Sequence, residues 1–592
     1  MRGHLQQGRR QLVAPLLSLF ATTLYLLTLN RSASWWDCGE FIAVSHLLQV
    51  GHPPGAPLYQ LLAHLCSLLA FGNPLLVAPL CNALSALCGG LTVGLLYLTA
   101  TELGASRRGA LIGALCYLFC DTAWFSAVES EVYALAMLFC SLDLWLTLRY
   151  RRTRNPRLLP LLTLLLGLGL CVHLMTLLIL PAILLILGRE AASHHATPRL
   201  LRLAPMLALF FLLGTTPYLI IPIRAAAHPP INEGNPATAH DFAAYLHRDQ
   251  YTKAPLYPRL WRERDSLNTR YWTGGHSGLL GNARYFITYQ AGYMYARYLM
   301  YNFIGRENLA YNPNAKQVPI LNSQFSIFIL PFLLGLYGLL LHRRHRRADY
   351  WVVMLLFLFG GILLGIYLNH PCYEPRERDY AYILSFYAFA LWIGIGASRL
   401  MATAQRWRAT RRLASTALFL LTLAAPLTLA AGNFGDHNRS RCHSVHDIAL
   451  NHLQSCDHGA LLLTLGDNDT FPLWYLQQVE HRRPDITILN INLEGYLPTL
   501  QAASLALASR PVYVSHYFHE RYPTFLSLPQ RCEGYCWRLL PPDEDPTSLL
   551  PLQRHVADSI RWHITPGEYL DPVSRSFLRI WEENTTLPPK AL

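Results

Sequence analysis

The chain has 592 residues, of which 52% are hydrophobic and 14% charged, against the roughly 25% charged residues usual in soluble proteins. Its formal charge of +13 is concentrated in short loops such as Arg149-Tyr150-Arg151-Arg152 and His342-Arg343-Arg344-His345-Arg346-Arg347, the positive-inside pattern of membrane proteins, so no nucleic-acid partner is expected. Repeated apolar runs of about 20 residues exclude an ordinary soluble globule and predict a polytopic α-helical membrane protein.

The first apolar run, Leu12 to Leu29, has basic flanks (Arg2, Arg9, Arg10) and no small-x-small cleavage site after it. It reads as a retained signal anchor. Eleven membrane helices are predicted, over 11–29, 75–99, 109–127, 131–149, 159–171, 173–188, 200–223, 323–341, 350–369, 380–400 and 411–432. The fifth and sixth are separated by Gly167-Leu168-Gly169-Leu170-Cys171-Val172-His173 and lie between two basic loops. An even number of passes must join those loops, so two half-length helices meeting in the membrane are expected. A single long tilted helix is the alternative.

The arginine-bearing loops 100–108, 150–158, 189–199, 342–349 and 401–410 then face the cytoplasm with the N-terminus. Loops 30–74, 128–130, 224–322 and 370–379 face outward with the tail from 433. Residues 36–50 and 56–71, bracketing Pro53-Pro54, read as interfacial helices. The expected domains are a membrane part over 1–432 and a small soluble α/β part over 433–592. In the latter, strand 459–465, turn 466–470, helix 471–479 and strand 485–491 form a βαβ unit.

Of 13 cysteines, Cys66, Cys81, Cys88, Cys116, Cys120, Cys140 and Cys171 lie in or beside apolar runs and read as packing residues. Cys442, Cys456, Cys532 and Cys536 lie in the polar tail, where one or two disulfides are possible with the pairing open. The Cys532-x3-Cys536 spacing lacks a second pair and is a weak metal signal.

Three polar constellations fall in outer loops. Asp37 and Glu40 follow Trp35-Trp36; in a helix, residues three apart share a face. The pair is either a solvated helix start or acid–base machinery, and His52-Pro53-Pro54-Gly55 is a rigid turn able to fold back over it. Glu129 and Glu131 sit in a very short loop, as a polar turn or as a second acidic wall for a cation or an acceptor. Arg376 and Arg378 are interleaved with Glu377 and Asp379. They either neutralise those acids or present guanidinium forks to a phosphate. His173 reads as a satisfied buried histidine, and Gly466-Asp467-Asn468-Asp469-Thr470 as a structural turn that caps the next helix.

Trp36-Asp37-Cys38-Gly39-Glu40-Phe41 with Gln49-Val50-Gly51-His52-Pro53-Pro54-Gly55-Ala56-Pro57-Leu58 resembles the N-terminal signature of a bacterial membrane family, common in Bacteroidetes and long of unknown function. That family is related to the eukaryotic endoplasmic-reticulum O-mannosyltransferase acting on plexin-type receptor domains. Arg378-Asp379-Tyr380, Ser385 to Phe389, Gly466 to Trp474 and Glu480-x3-Pro484-Asp485 resemble its later blocks.

The resemblance implies a GT-C-like fold, polyprenyl-phosphate sugar donors, and a catalytic acid in the first outer loop, matched here by Asp37 and Glu40. It also implies a multi-pass protein of a bacterial inner membrane with an exported protein as acceptor. The expected reaction is an inverting O-glycosyl transfer. The lipid phosphate is already a good leaving group, so one base suffices where glycosidases need two carboxylates. Asp37 is expected to be the base, with Glu40 beside it. Glu129, Glu131 and His52 would form the acceptor or cation wall, and Arg376 and Arg378 the donor-phosphate site. No cofactor is required by this chemistry, and a divalent cation stays open. A transporter or flippase of lipid-linked sugars, with ionisable groups near mid-membrane, is the alternative.

Overall fold

The computed structural model describes residues 2–193, 197–261, 267–305, 329–372, 376–404, 410–522 and 525–542. The chain opens with α1 (Arg2–Thr28), two short helices α2 (Cys38–Leu47) and α3 (Pro57–Leu68), and the long α4 (Pro74–Glu102). Asn73 starts α4 by accepting the Leu75 amide at 3.1 Å ahead of Pro74, the usual start chemistry. Next come α5 (Arg107–Leu118), α6 (Asp121–Ala127), α7 (Val132–Thr153), α8 (Leu158–Leu170), a 3-10 turn over Leu174–Ile179, α9 (Leu180–Ser193) and α10 (Thr197–Thr215).

Short helices follow: α11 (Ile220–Ala225), α12 (Ala239–His247), α13 (Leu267–Thr273), α14 (Gly278–Tyr285) and, after a π-helical stretch, α15 (Arg297–Ile304). The bundle closes with α16 (Leu330–His345), α17 (Arg347–Phe359), α18 (Ile362–Leu368), α19 (Ile383–Thr403) and α20 (Arg411–His437).

Among the described residues, seven helices are long and apolar enough to cross a membrane, and an eighth pass results if α5 and α6, bent by 65°, count as one. Two shorter apolar helices, Leu12–Thr28 and Leu158–Leu170, join them. The expected span over 323–341 falls partly outside the described residues. The chain does break at Cys171–His173, but the segment after the break, Leu174–Ala192, has 19 residues and is not half-length. His173 packs 5.7 Å from Tyr133, at the start of α7, so the break lies at that end of the bundle and not in its middle.

The span through α19 is the axis: 94% of it is buried, against 11% for Arg202–Ala225 at the periphery. Helices close on this axis through small residues. A Cβ at Gly338 would collide with the Trp392 carbonyl, so α16 and α19 approach at backbone distance, as lipid-embedded helices do.

α20 continues to His437, past the expected boundary at 432, and α21 (Ser444–Ser455) leads into a five-stranded sheet. Strands β1 (Leu461–Thr464), β2 (Thr487–Asn490), β3 (Val512–Ser515), β4 (Gln530–Glu533) and β5 (Cys536–Leu539) lie in the order β2-β1-β3-β5-β4. β1 runs parallel to β2 and β3, with Leu461 opposite Thr487 and Val512, and β5 runs antiparallel to β3 and β4. All four β1 residues are buried, which is why this strand reads as an unbroken apolar run.

The helix of the βαβ unit, α22 (Asp467–Gln478), begins four residues earlier than expected, so the Gly466–Thr470 turn is its first turn. The short α23 (Ile491–Glu494), α24 (Tyr496–Leu507) and α25 (His516–Arg521) complete this part. Of the four tail cysteines, the Cys456 and Cys536 sulfurs lie 3.9 Å apart, both buried.

α22 docks directly on α2. A Cβ at Gly39 would stand 2.7 Å from the Phe471 carbonyl oxygen; only glycine permits that approach. The sheet-bearing part is thereby seated on the turn that carries Asp37.

Candidate active site

Asp37 sits one residue ahead of α2, after two tryptophans. Trp36 adopts φ +64°, a left-handed conformation that costs a bulky residue on the order of 1–3 kcal/mol. Two contacts hold it there. Its amide donates to Asn468 Oδ1 at 2.6 Å, and the Arg376 guanidinium lies 4.9 Å from its ring centroid. Trp35 and Trp36 also pack on Val445 and Ile448 of α21.

Arg376 is the hub. Its Nη2 lies 3.5 Å from Asp37 Oδ2, with the two side chains 10% and 18% exposed. Its guanidinium stands 4.4 Å from the Tyr380 ring centroid, and its Nε donates to the Tyr380 hydroxyl at 3.0 Å. Arg378 Nη1 donates to the same hydroxyl at 2.6 Å, so both guanidinium groups converge on one oxygen.

The interleaved acids have other partners. Glu377 takes Arg297 in a two-pronged contact at 2.9 and 2.6 Å and the Tyr298 hydroxyl at 2.6 Å. Asp379 accepts from Thr122 Oγ1 at 2.6 Å. These contacts draw both acids away from Arg376. Tyr373, Glu374 and Pro375 of the same motif lie outside the described residues.

Glu131 supplies the far wall. It precedes α7 in extended conformation, is 4% exposed, and its Oε2 has no hydrogen-bond partner. Burial first, and then the Asp37 carboxylate, hold its carboxyl well above the usual carboxylate range, against the pull of Arg376. Tyr133, two residues on, packs at 4.5 Å from Tyr380.

Glu129 faces elsewhere. Its Oε2 accepts Ser34 Oγ at 2.6 Å and Arg439 Nη1 at 2.5 Å. It ties the loop after α1 to the chain just past α20, and burial raises its carboxyl despite Arg439.

Glu40 has a partner of its own. It is fully buried, its Oε1 accepts the His52 amide and its Oε2 meets His52 Nδ1, both at 2.6 Å. Burial alone would lower the His52 pKa, but the Glu40 charge and hydrogen bond carry it well above the ordinary value. The His52-Pro53-Pro54-Gly55 turn folds back over Glu40, close enough to Asp37 and Glu233 for their charges to reach His52. Glu233 of the long outer loop closes this corner, 7% exposed with both carboxylate oxygens lacking partners. Burial and then Glu40 raise its carboxyl.

Sequence reasoning missed Asn468, Asp467 and Glu233. Asp467 keeps an open face to solvent, yet the surrounding protein and then Asp37 push its carboxyl up to about 6. The signal for Asn468 and Asp467 was the Gly466–Thr470 motif itself; Glu233 carried none. Among the described residues, no three His, Cys, Asp or Glu groups converge as metal ligands.

The elements that supply this cleft are the loops assigned outward, while Glu102, Arg151, Arg152 and His345–Asp349 gather in another group. Fold and composition thus define a multi-pass α-helical membrane protein that carries a small five-stranded sheet.

Family models agree in two blocks: the protein O-mannosyl-transferase TMEM260 N-terminal domain matches residues 37–195, and TMEM260-associated domain 2 matches 445–497. Protein O-mannosyl-transferase TMEM260 of Mus musculus is 32% identical over 244 residues, 40% of this chain and 34% of that protein. The Dictyostelium discoideum protein of the same description is 23% identical over 555 residues, 87% of this chain and 61% of that one. The chain therefore spans less than two thirds of either relative. ArnT from Cupriavidus metallidurans shares the fold at TM-score 0.53 in the apo state and 0.52 in the structure bound to undecaprenyl phosphate. Sequence identity is 12%, with 88% and 89% of this chain and 96% of ArnT covered.

Proposed function

We propose that the protein is an inverting membrane glycosyltransferase that moves a sugar from a polyprenyl-phosphate donor to a hydroxyl of an exported protein, in the manner of an O-mannosyltransferase. The observation that carries this reading is the Asp37–Arg376 pair at 3.5 Å on the Trp36 turn: a carboxylate base beside a guanidinium that a departing phosphate would engage.

Asp37 Oδ2 takes the proton of the acceptor hydroxyl as its oxygen attacks the anomeric carbon. The carbon–phosphate oxygen bond breaks, and the electron pair leaves on the lipid phosphate. Arg376 and Arg378, aimed at one point, stabilise the charge that collects there. Glu40, committed to His52, is a positioning residue that fixes the start of α2. Glu131, with its Oε2 unpartnered, is the wall residue nearest in character to a partner for acceptor or sugar. Bacterial inner-membrane location, a cytoplasmic N-terminus and an outward sheet-bearing part belong to the same reading. It is supported by the clustering of the arginine-rich loops away from Asp37 and by the similarities above.

The test is Asp37→Asn, assayed for transfer from a synthetic polyprenyl-phosphate mannose to exported protein. A loss of about 10²–10⁴-fold, the range for removing a general base, is expected with the thermal midpoint unchanged. Retained transfer removes Asp37 from the role.

One observation favours a lipid-linked sugar transporter instead. Asp143, midway along α7, is fully buried with neither carboxylate oxygen partnered, and intramembrane acids often mark transport pathways. Movement of labelled carrier lipid in proteoliposomes, abolished by Asp143→Asn without any sugar transfer, would decide for it.

A further inference from the structure

The end of the bundle away from Asp37 holds a cavity of about 550 Å³, lined by Glu102, Leu148, Arg151, Arg152, Ala348, Asp349 and the run His345-Arg346-Arg347. That volume is in the usual range for a ligand pocket, roughly 300–1,000 Å³. Arg151 and Arg152 lie in the last turn of α7, about 30 Å of helix from its first turn at the Asp37 cleft. The proposed chemistry makes no use of this cavity.

Its charges do not balance. Asp349 is shared by Arg151 at 2.6 Å and Arg346 at 3.0 Å, and Glu102 takes Arg152 at 2.9 Å. Arg347 has no acidic partner among the described residues, and His345 spends Nδ1 on the Leu341 carbonyl at 2.9 Å. Four arginines therefore face two carboxylates. The helix ends are built to bring them together: Gly104, at φ +91°, has no side chain, and the Arg346 guanidinium occupies the space one would fill. Converging guanidinium groups with surplus charge in a concave site focus the field on an anion, and their planar forks match phosphate oxygens. Trp351, 42% exposed, lies two residues past Asp349 on α17, an exposed tryptophan of the kind found at headgroup depth.

We propose that this cavity binds a phosphate-bearing anion at the membrane surface opposite the Asp37 cleft, the arginines of the α7 end and of the α16–α17 junction closing on the phosphate as they do in basic lipid pockets between membrane helices. The site stands independently of the catalytic reading, and its test involves no sugar transfer.

The test is native mass spectrometry of the detergent-purified full chain with phosphatidylglycerol or phosphatidylcholine. It compares the wild type with R346A/R347A, which leaves every cavity carboxylate a partner, and with R343A/R344A, which removes the same charge from the exposed end of α16 outside the cavity. Retained phosphatidylglycerol should exceed phosphatidylcholine and fall about tenfold in the cavity variant alone. Arg347→Gln repeats the test with a milder change if the double variant is unstable. Resistance of the bound lipid to millimolar inorganic phosphate supports the lipid headgroup as source; displacement by it supports a free phosphate. Equal losses in the two double variants, or no loss in either, would overturn the site.

Discussion

Asp37 and Glu40 are carboxylates three residues apart, and the fold treats them in opposite ways. Asp37 directly follows the left-handed Trp36 and is 18% exposed, with Arg376 at 3.5 Å. Glu40 is sealed within α2 and closes two 2.6 Å contacts on His52, with Glu233 beside them. The difference arises where the helix begins. Asp37 is the first residue of the helical run, its carbonyl taking the Phe41 amide at 2.8 Å, and Glu40 lies a turn deeper, where burial leaves it facing His52 of opposite charge and Glu233 of like charge. One corner is open and able to exchange partners; the other is a closed lock that holds the first in place.

The comparison can be broken most severely at the open corner. Arg376→Gln should lower transfer about 10²-fold or more, the usual loss for a group that stabilises developing charge. Arg376→Lys should recover little, because an ammonium cannot lie flat against both Trp36 and Tyr380; initial rates against donor concentration check both. At the closed corner, Glu40→Gln should cost stability before it costs chemistry. It removes the charge that keeps the proton on His52 together with a charge-assisted hydrogen bond, a loss of about 1.5–3 kcal/mol. Thermal unfolding should show the loss, and activity per folded molecule should fall much less than in Asp37→Asn.

Asn468→Ala sharpens the contrast from the far side of the cleft. Losing the bond to the Trp36 amide should cost about 1–2 kcal/mol and relax the Asp37 turn. Transfer is then expected to drop about tenfold as the base loses its alignment, while unfolding of Glu40→Gln in the same background stays additive.

The smallest effect is a pH dependence of α21, the helix beneath the tryptophans. His446 bridges Asp447 and Glu480, each at 3.1 Å, with Arg482 also near Glu480. Burial opposes its charge, but those acids raise it from 6.5 to about 9. The folded state thus binds the proton more tightly than the unfolded chain. The stabilisation is full below pH 6.5 and is lost as pH climbs to about 9. It should amount to about 1–2 kcal/mol after solvent screening. Melting curves across that window should flatten in His446→Gln.

Much of this was legible in the sequence, because the signals were local. Apolar run length located the helices, and the unbroken run Leu461–Leu463 located the strand at the centre of the βαβ unit. Trp36-Asp37 and Arg376 could be singled out because tryptophans, an acid and paired arginines are unusual together at a membrane surface.

What failed was long-range. No pattern in the first hundred residues says that Asn468, more than 400 positions on, caps the Trp36 amide, or that Gly39 is small because α22 arrives there. Glu129 and Glu131 look equivalent in a tight loop, yet one is consumed by Arg439 and the other left without a partner, a distinction made by the distant end of α20. The break at Cys171–His173 is expected in mid-membrane because Arg189 marks the end of the apolar run, whereas the helix carries on through Arg189 and Glu190 to Ser193.

The most direct measurement is an electron cryo-microscopy structure of the protein with a polyprenyl phosphate bound. The account predicts phosphate density on the Arg376 guanidinium above Trp36, within reach of Arg378, with the Asp37 carboxylate freed to face the acceptor side. A phosphate seated away from Arg376, with the Asp37–Arg376 pair still closed, would contradict it.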